Sequence, residues 1–422
     1  MTALPPDLVG ELFRHRCARL VAGLCGVLGP SRLDLAEDVV QEALLRALRS
    51  WPAEGVPDNP EAWLFRVARN LALDSLRRQR IGARIDAELQ QWARREEPPT
   101  PPPEGIADDA LRILFVCSHP AVPPDARVAL ILKTACGFGV PAIARALLAK
   151  EATIAQRLVR AKAKLQAADV VFEVPAPHEL ASRLDLVLQA IYLLFNEGYR
   201  RHAGDELLAE DLVEDAVRLL ALVLQQPSLA TPPAHALMAS LLFIGARTAA
   251  RVDAAGDLVP LAQQDRSKWN GAWIACGFHH LRASLAGDAL TPFHCEAAIA
   301  SLHAVATSYA STDWTRILAE YDRLLDLAPS PIVRLNRAVA VGKVHGAGAG
   351  LAALADLDDD EALADYFLLG AVRAQLHWER SDFAAAAVAL QQALAQPCTA
   401  PERRLLERRL AACRVGEAPP PW

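Results

Sequence analysis

Apolar positions recur at three- and four-residue intervals along almost the whole chain, and no convincing stretch alternates with the period of two expected of a half-buried strand. Asp34–Trp51 (DLAEDVVQEALLRALRSW) shows the pattern. Val39, Val40, Ala43, Leu44 and Leu48 mark its apolar side, and acids occupy the first turns, where a helix dipole favours them. The turn VPDNPEAW follows, and Asn59-Pro60 marks the next start, with proline at or near the first helical position. That helix runs through EAWLFRVARNLALDSLRRQR. Further helices are predicted near Asp108–Cys117, Pro124–Cys136, Val140–Ala149 and Glu151–Ala167. The fold class expected is all-α.

Proline divides this helical chain. Arg95–Gly105 (REEPPTPPPEG) is expected to be a stiff, extended, non-helical spacer, and Val174–Glu179 (VPAPHE) marks a second boundary. The predicted organisation is a bundle over 1–80, a linker over 81–107, a second helical unit over 108–168 and a long helical extension over 175–422. The extension breaks at QQPSLATPPAH, SLAGDALTPFH and DLAPSPIV. Pro329 and Pro397, which close YDRLLDLAP and LQQALAQP, lie two 34-residue periods apart. Tyr366–Pro397 resembles one tetratricopeptide unit, with Leu369-Gly370 in a first helix, Asp382-Phe383 at the turn and Ala386, Ala393 and Leu394 in a second. Stacked helical hairpins are expected there.

Composition narrows the class. The chain has 422 residues, 52% of them hydrophobic and 22% charged, which suits globular protein with a real core. Its eight cysteines form no C-x-x-C pair, and most fall on apolar stripes as small core residues. The amino terminus carries no apolar signal core, and no uncharged apolar run approaches the ~20 residues that span a bilayer. A cytoplasmic protein without a membrane partner is expected. His279-His280 with His294 and Cys295 fits no standard zinc spacing. No phosphate loop, nucleophile elbow or H-E-x-x-H is present, so neither enzyme chemistry nor a cofactor or metal is expected. FNEGY (Phe195–Tyr199), DRSKW (Asp265–Trp269) and Arg251 with Asp253 place polar groups among apolar helices; capping or the lining of a groove both fit them.

Charge sharpens the picture. The formal net charge is -6, yet Trp63–Arg95 carries eight arginines against Asp74, Asp86 and Glu88. Pro141–Val170 carries six basic residues against Glu151 and Asp169. Solvated helix faces would explain either patch alone; their chemistry adds more. Ile143 and Leu147 mark the inner stripe of a short helix, a tight turn falls near Ala149–Glu151, and Ile154, Leu158, Ala161 and Leu165 line the next helix. Two short helices joined this way form either a plain hairpin or a helix-turn-helix, whose second helix enters the major groove. Thr153, Gln156 and Arg157 stand at its reading end; Arg160, Lys162 and Lys164 would follow the backbone. In WLFRVARNLALDSLRRQR, Arg66, Arg69, Asn70, Arg77 and Arg78 are expected outward with Trp63 at the start, a set suited to unstacked bases. The preceding helix, with Glu37, Asp38, Gln41 and Glu42, would repel DNA and is expected to meet protein.

DLAEDVVQEALLRALRSW followed by NPEAWLFRVARNLALDSLRR resembles region 2 of bacterial extracytoplasmic-function (ECF) sigma factors. VPPDARVALILKTACGFGVPAIARALLAKEATIAQRLVRAKAKL resembles their region 4, in the usual order. The tail is similar to the tetratricopeptide-like extension of one subgroup, in AIYLLFNEGY, DRSKWN, AAIASLHA, DWTRILAEYDRLL and SPIVRLNRAVAV. The resemblance implies a non-enzymatic initiation factor whose partners are the clamp of core RNA polymerase and promoter DNA. It assigns polymerase docking to Asp38, Gln41 and Glu42. It assigns the −10 element to Trp63, Arg66, Arg69, Asn70, Asp74 and Arg77, and the −35 element to Thr153, Gln156, Arg157, Arg160 and Lys164. Leu148 replaces the family's turn glycine, and Lys150 its polar cap or proline. The extension is expected to contact regions 2 and 4 or a protein partner and so regulate the factor. Two other readings stay open: a helix-turn-helix regulator with a repeat-type sensor, and a protein-binding repeat scaffold.

Overall fold

The computed structural model describes residues 19–78, 103–147, 149–168, 170, 177–201, 205–358 and 360–416. Most of the proline-rich linker, Leu148 and positions 174–176 of the second boundary lie outside them. Among the described residues there is no strand; Val252 and Leu258 make an isolated antiparallel bridge. The all-α expectation therefore holds. No described helix is long and apolar enough to cross a membrane.

The chain divides into two compact units, Met1–Leu194 and Phe195–Trp422. The first contains α1 (19–28), α2 (Leu33–Glu54), α3 (Pro60–Arg78), α4 (Pro103–Cys117), α5 (Pro124–Thr134), α6 (Val140–Ala146), α7 (Glu151–Ala167) and most of α8 (Pro177–Tyr199). On α2, Leu33, Ala36, Val39, Val40, Ala43, Leu44 and Ala47 are buried, and Gly55, at φ 88°, ends the helix. Leu48, expected on the apolar side, is instead exposed together with Leu45. The Asn59 carboxamide accepts the Ala62 N–H at 3.0 Å, so α3 begins with a side-chain cap. Trp51 and Trp63 meet edge to face at 5.5 Å between centroids and pin α2 beside α3.

Helix α4 begins at Pro103, inside the segment expected to be wholly extended. Proline is tolerated in a first turn because its missing N–H would have no helical partner there. Helices α5 and α6 stop at Thr134 and Ala146, short of the predicted Cys136 and Ala149, and Gly137 takes φ 71° after α5. Helix α7 spans the predicted Glu151–Ala167.

The second unit contains the end of α8, then α9 (Glu210–Gln225), α10 (Pro232–Gly245), α11 (Gly271–Ala283), α12 (Pro292–Val305), α13 (Trp314–Leu327) and α14 (Pro331–His345). It continues with α15 (Ala347–Leu354), α16 (Phe367–Glu379), α17 (Phe383–Leu394) and α18 (Ala400–Val415). From α12 to α18 each helix packs on the next, as a solenoid of hairpins does. The tetratricopeptide-like segment forms the α16–α17 hairpin. Asp382 caps α17 by accepting the Ala385 N–H at 3.1 Å, and Ala386, Ala389, Leu390 and Ala393 are buried. A Cβ on Gly370 would lie 3.0 Å from the Ala389 carbonyl oxygen, so only glycine lets these helices approach so closely.

Candidate DNA and polymerase interfaces

Helices α6 and α7 are joined by 147–150, with the Ala149 N–H donating to the Ala144 carbonyl at 2.8 Å. Ile143 of α6 and Ile154, Leu158, Ala161 and Leu165 of α7 are buried, which fixes the opposite face of α7 outward. Gln156, Arg160 and Lys164 are exposed there, and Thr153 is half-buried at the helix start. Lys150 occupies the N-cap without a side-chain bond, and Glu151 supplies the first-turn acid. Arg157 is also on this side, and Asp125 of α5 holds its guanidinium at 2.9 Å. The assigned −35 side chains thus lie along one helix, and one of them already has an acidic partner.

Lys162 does not join that face. Periodicity puts it outward beside Arg160 and Lys164, but its ammonium turns toward α2, donating to Glu37 Oε2 at 2.6 Å and pairing with Asp34 at 2.8 Å. Thr134 of α5 donates to the other Glu37 oxygen at 3.0 Å. Burial opposes the charge on Lys162, but the Glu37 and Asp34 carboxylates outweigh it and raise its proton affinity above the ordinary lysine value. Glu37, expected on the exposed acidic face of α2, is buried in this contact. Its two oxygens join α2 to α5 and α7.

On α3, Arg66, Asn70, Asp74 and Arg77 are exposed, and Arg77 pairs with Asp74 at 3.7 Å. Trp63 is half-buried against Trp51. Arg69 departs from the expected outward set: it is only 8% exposed, and burial followed by the neighbouring Arg66 lowers its proton affinity. The reason is helical geometry. Position 69 precedes the buried Ala72 and Leu73 by three and four residues and shares their stripe. The side chain of Arg78 lies outside the described set.

The other side of α2 combines acids, an amide and exposed leucines. Asp38 and Gln41 are exposed, Glu42 is half-buried and accepts Arg46 Nε at 3.0 Å, and Leu45 and Leu48 are 44% and 38% exposed. Positions 38, 41, 45 and 48 follow helical spacing, so the two leucines continue the acid–amide row. The leucines were not among the sequence candidates. Their signal was an apolar pair lying just off the buried stripe.

The histidine group resolves into local contacts. His280 meets His235 through their Nδ1 atoms at 2.8 Å, and His294 closes a capping box with Thr291. Among the described residues no three His, Cys, Asp or Glu side chains are arranged to hold a metal ion.

Residues 13–81 match the family Sigma-70 region 2, and residues 114–165 match Sigma-70, region 4. The ECF RNA polymerase sigma factor EcfG of Rhodopseudomonas palustris (strain TIE-1) is 33% identical over 134 residues, 32% of this chain and 71% of that protein. The chain belongs to the ECF sigma factors of the sigma-70 family. The factor SigE of Mycolicibacterium smegmatis is 30% identical over 131 residues, covering 31% of this ECF sigma factor and 50% of that relative. An uncharacterized protein of Rhizobium meliloti (strain 1021) is 40% identical over 382 residues and 90% of both chains, so it shares the extension as well. Residues 183–285 match a family of unknown function (DUF6596). No solved structure matches the chain. As a sigma factor, the protein takes part in transcription initiation, and core RNA polymerase and promoter DNA are the partners its family implies.

Proposed function

We propose that this ECF sigma factor brings core RNA polymerase to promoters by reading the −10 element with α3 and the −35 element with α7, and that its helical extension controls this activity. The observation that carries the reading is the division of labour on α7. Its apolar stripe is buried while Gln156, Arg160 and Lys164 stay exposed on the opposite face. An amide and two cations in that order can reach a base edge and then the phosphates beyond it. On α3 the exposed Arg66, Asn70 and Arg77 follow the half-buried Trp63, which suits bases taken from the stack. The row Asp38, Gln41, Leu45 and Leu48 on α2 supports docking on polymerase. It combines exposed aliphatic surface with polar groups that set orientation.

Run-off transcription with purified core polymerase and the native promoter tests the reading. Defined transcripts should require the factor and should weaken when Gln156 and Arg160 are both replaced by Ala. Operator binding without polymerase, and no transcript with it, would favour a helix-turn-helix regulator instead.

A further inference from the structure

The second unit contains a recess of about 210 Å³ lined by Arg200, Arg251, Leu258, Phe367, Leu368 and Glu402, with Leu405 and Leu406 completing its wall. Its polar groups are unequally matched. Arg200 donates from Nε to Glu402 at 2.8 Å and from Nη1 to the Tyr366 hydroxyl at 3.2 Å, and its guanidinium lies 5.0 Å from the Phe367 ring centroid. The second oxygen of Glu402 is taken by the N–H and hydroxyl of Thr399 at 3.0 and 2.8 Å. That carboxylate is therefore fully engaged with Arg200 and the start of α18.

Arg251 has no such partner. It is 8% exposed, its guanidinium lies 3.8 Å from the Tyr199 ring centroid, and its Nη1 donates to the Tyr199 carbonyl at the end of α8. Among the described residues no carboxylate forms an ion pair with it. One carbonyl leaves most of a five-donor guanidinium unused. The lining therefore holds two cations, Arg251 buried and Arg200 partly exposed, against one buried anion. Burial is the main cause that pushes the Arg251 proton affinity down; Arg247 and Arg200 add to it, and Tyr199 and Glu402 offset it only in part.

We propose that this recess binds a small organic monocarboxylate with an apolar body, its carboxylate on Arg251 and its body against Leu258, Phe367, Leu368 and Leu406. A single negative charge balances the lining; a phosphate dianion would overshoot it and meet Glu402. The size fits, since an apolar cavity of roughly 150 Å³ already admits a benzene-sized molecule. The loop carrying Arg251 and Leu258 is itself fastened, because Asp257 pairs with Arg404 and Arg408 of α18. The site is thus built from both ends of the extension, and a ligand there would tie them together. This binding does not depend on the promoter reading, because it is measured on the sigma factor alone.

The test is thermal unfolding of the full chain with benzoate, isovalerate or 4-methylvalerate, with benzamide and inorganic phosphate as controls. At tenfold excess over its dissociation constant, a bound carboxylate should raise the midpoint by about 4 °C. Benzamide and phosphate should leave it unchanged. Arg251→Gln should abolish the shift. Should that variant not fold, Leu368→Trp, at a half-buried wall position, should abolish the shift by filling the recess. An equal shift with benzamide or phosphate, no shift with any of the three acids, or a full shift in Leu368→Trp would overturn the proposal.

Discussion

The Lys162 ammonium of α7 donates to the Glu37 carboxylate of α2 at 2.6 Å, joining residues 125 positions apart in the chain. The contact makes the inner side of α7 part of one packed unit with α2. Replacing Lys162 by Met would leave Glu37 buried with only the Thr134 hydroxyl, at a cost of about 3 kcal/mol. Glu37→Gln, which keeps a neutral acceptor for Thr134, should cost less. Lys162 is raised above the ordinary value of 10.5 in the folded state, so its contribution is complete below that pH and is lost only above it. Urea unfolding should therefore show a constant difference between wild type and Lys162→Met from pH 7 to 10, narrowing at higher pH.

Arg157 must exchange partners to read DNA, because Asp125 already holds it at 2.9 Å. Asp125→Asn removes that competitor and should strengthen promoter binding by the holoenzyme about 2–5-fold, the range of a partly exposed ion pair. Arg157→Ala should cost roughly 1–3 kcal/mol and relax one −35 position, whereas Lys164→Ala should weaken all sequences alike. Fluorescence anisotropy at several salt concentrations separates these outcomes. Equal affinity in all three variants would show that this face of α7 does not read the promoter.

Helices with two well-separated stripes were legible in the sequence, and α7 is the example. Ile154, Leu158, Ala161 and Leu165 fix one face whatever packs against it. The α16–α17 hairpin was legible too, because Asp382 and Gly370 have local reasons to be where they are. Side chains at the edge of a stripe were not. Lys162 and Arg69 sit where a few degrees of rotation decide between solvent and a neighbouring helix, and periodicity does not say which neighbour lies there. Glu37 was misread for the same reason: its partners are Thr134 and Lys162, far along the chain. The Arg251 recess was only foreshadowed, as polar residues among apolar helices, because its walls come from four separated segments.

The row on α2 makes a direct prediction about polymerase. Leu48 is 38% exposed beside Leu45 among the described residues. Leu48→Glu should leave the melting temperature of the free factor within about 2 °C, since surface substitutions change stability little. The same change should reduce co-purification with core polymerase about tenfold or more, as a central apolar contact does when charged. Asp38→Arg with Glu42→Arg should act in the same direction. Binding unchanged in both variants would move the docking surface off this face of α2.

Acid should weaken the extension. His280 is depressed to about 4 by burial, then by His235 and His279. His303 is depressed to about 3 by burial, then by Arg247 and Arg266. Both are neutral when folded but take a proton near 6.5 when unfolded, so their stabilisation is complete above pH 6.5 and is lost as pH falls toward 4. The urea midpoint should drop between pH 7 and pH 5, and the drop should be smaller in a His280→Gln, His303→Gln double variant. An identical drop in that variant would assign the acid sensitivity to other groups.

Helix α8 decides how the extension should be cut away. Its Leu184, Val187, Leu188 and Ile191 are buried within the same compact unit as the sigma regions. Arg183 and Glu179 stand close enough to His119, between α4 and α5, to act on its charge; burial, then Arg183, lowers the proton affinity of that histidine. A chain ending at residue 169 loses all four aliphatic side chains. At about 1.5–3 kcal/mol each, their burial is comparable with the whole stability of a domain. That truncation should therefore aggregate or melt far below the full chain, and should give no promoter-dependent transcript for that reason alone. A chain ending at residue 201 keeps α8 and should retain the fold of the first unit by circular dichroism. Its run-off activity then reports on the remaining helices: more transcript than the full chain means restraint, and less means support. We expect less, because Lys150 leaves the turn before α7 without a side-chain cap. Equal melting of the two truncations would remove α8 from the first unit, and full activity from the chain ending at 201 would remove the rest of the extension from control.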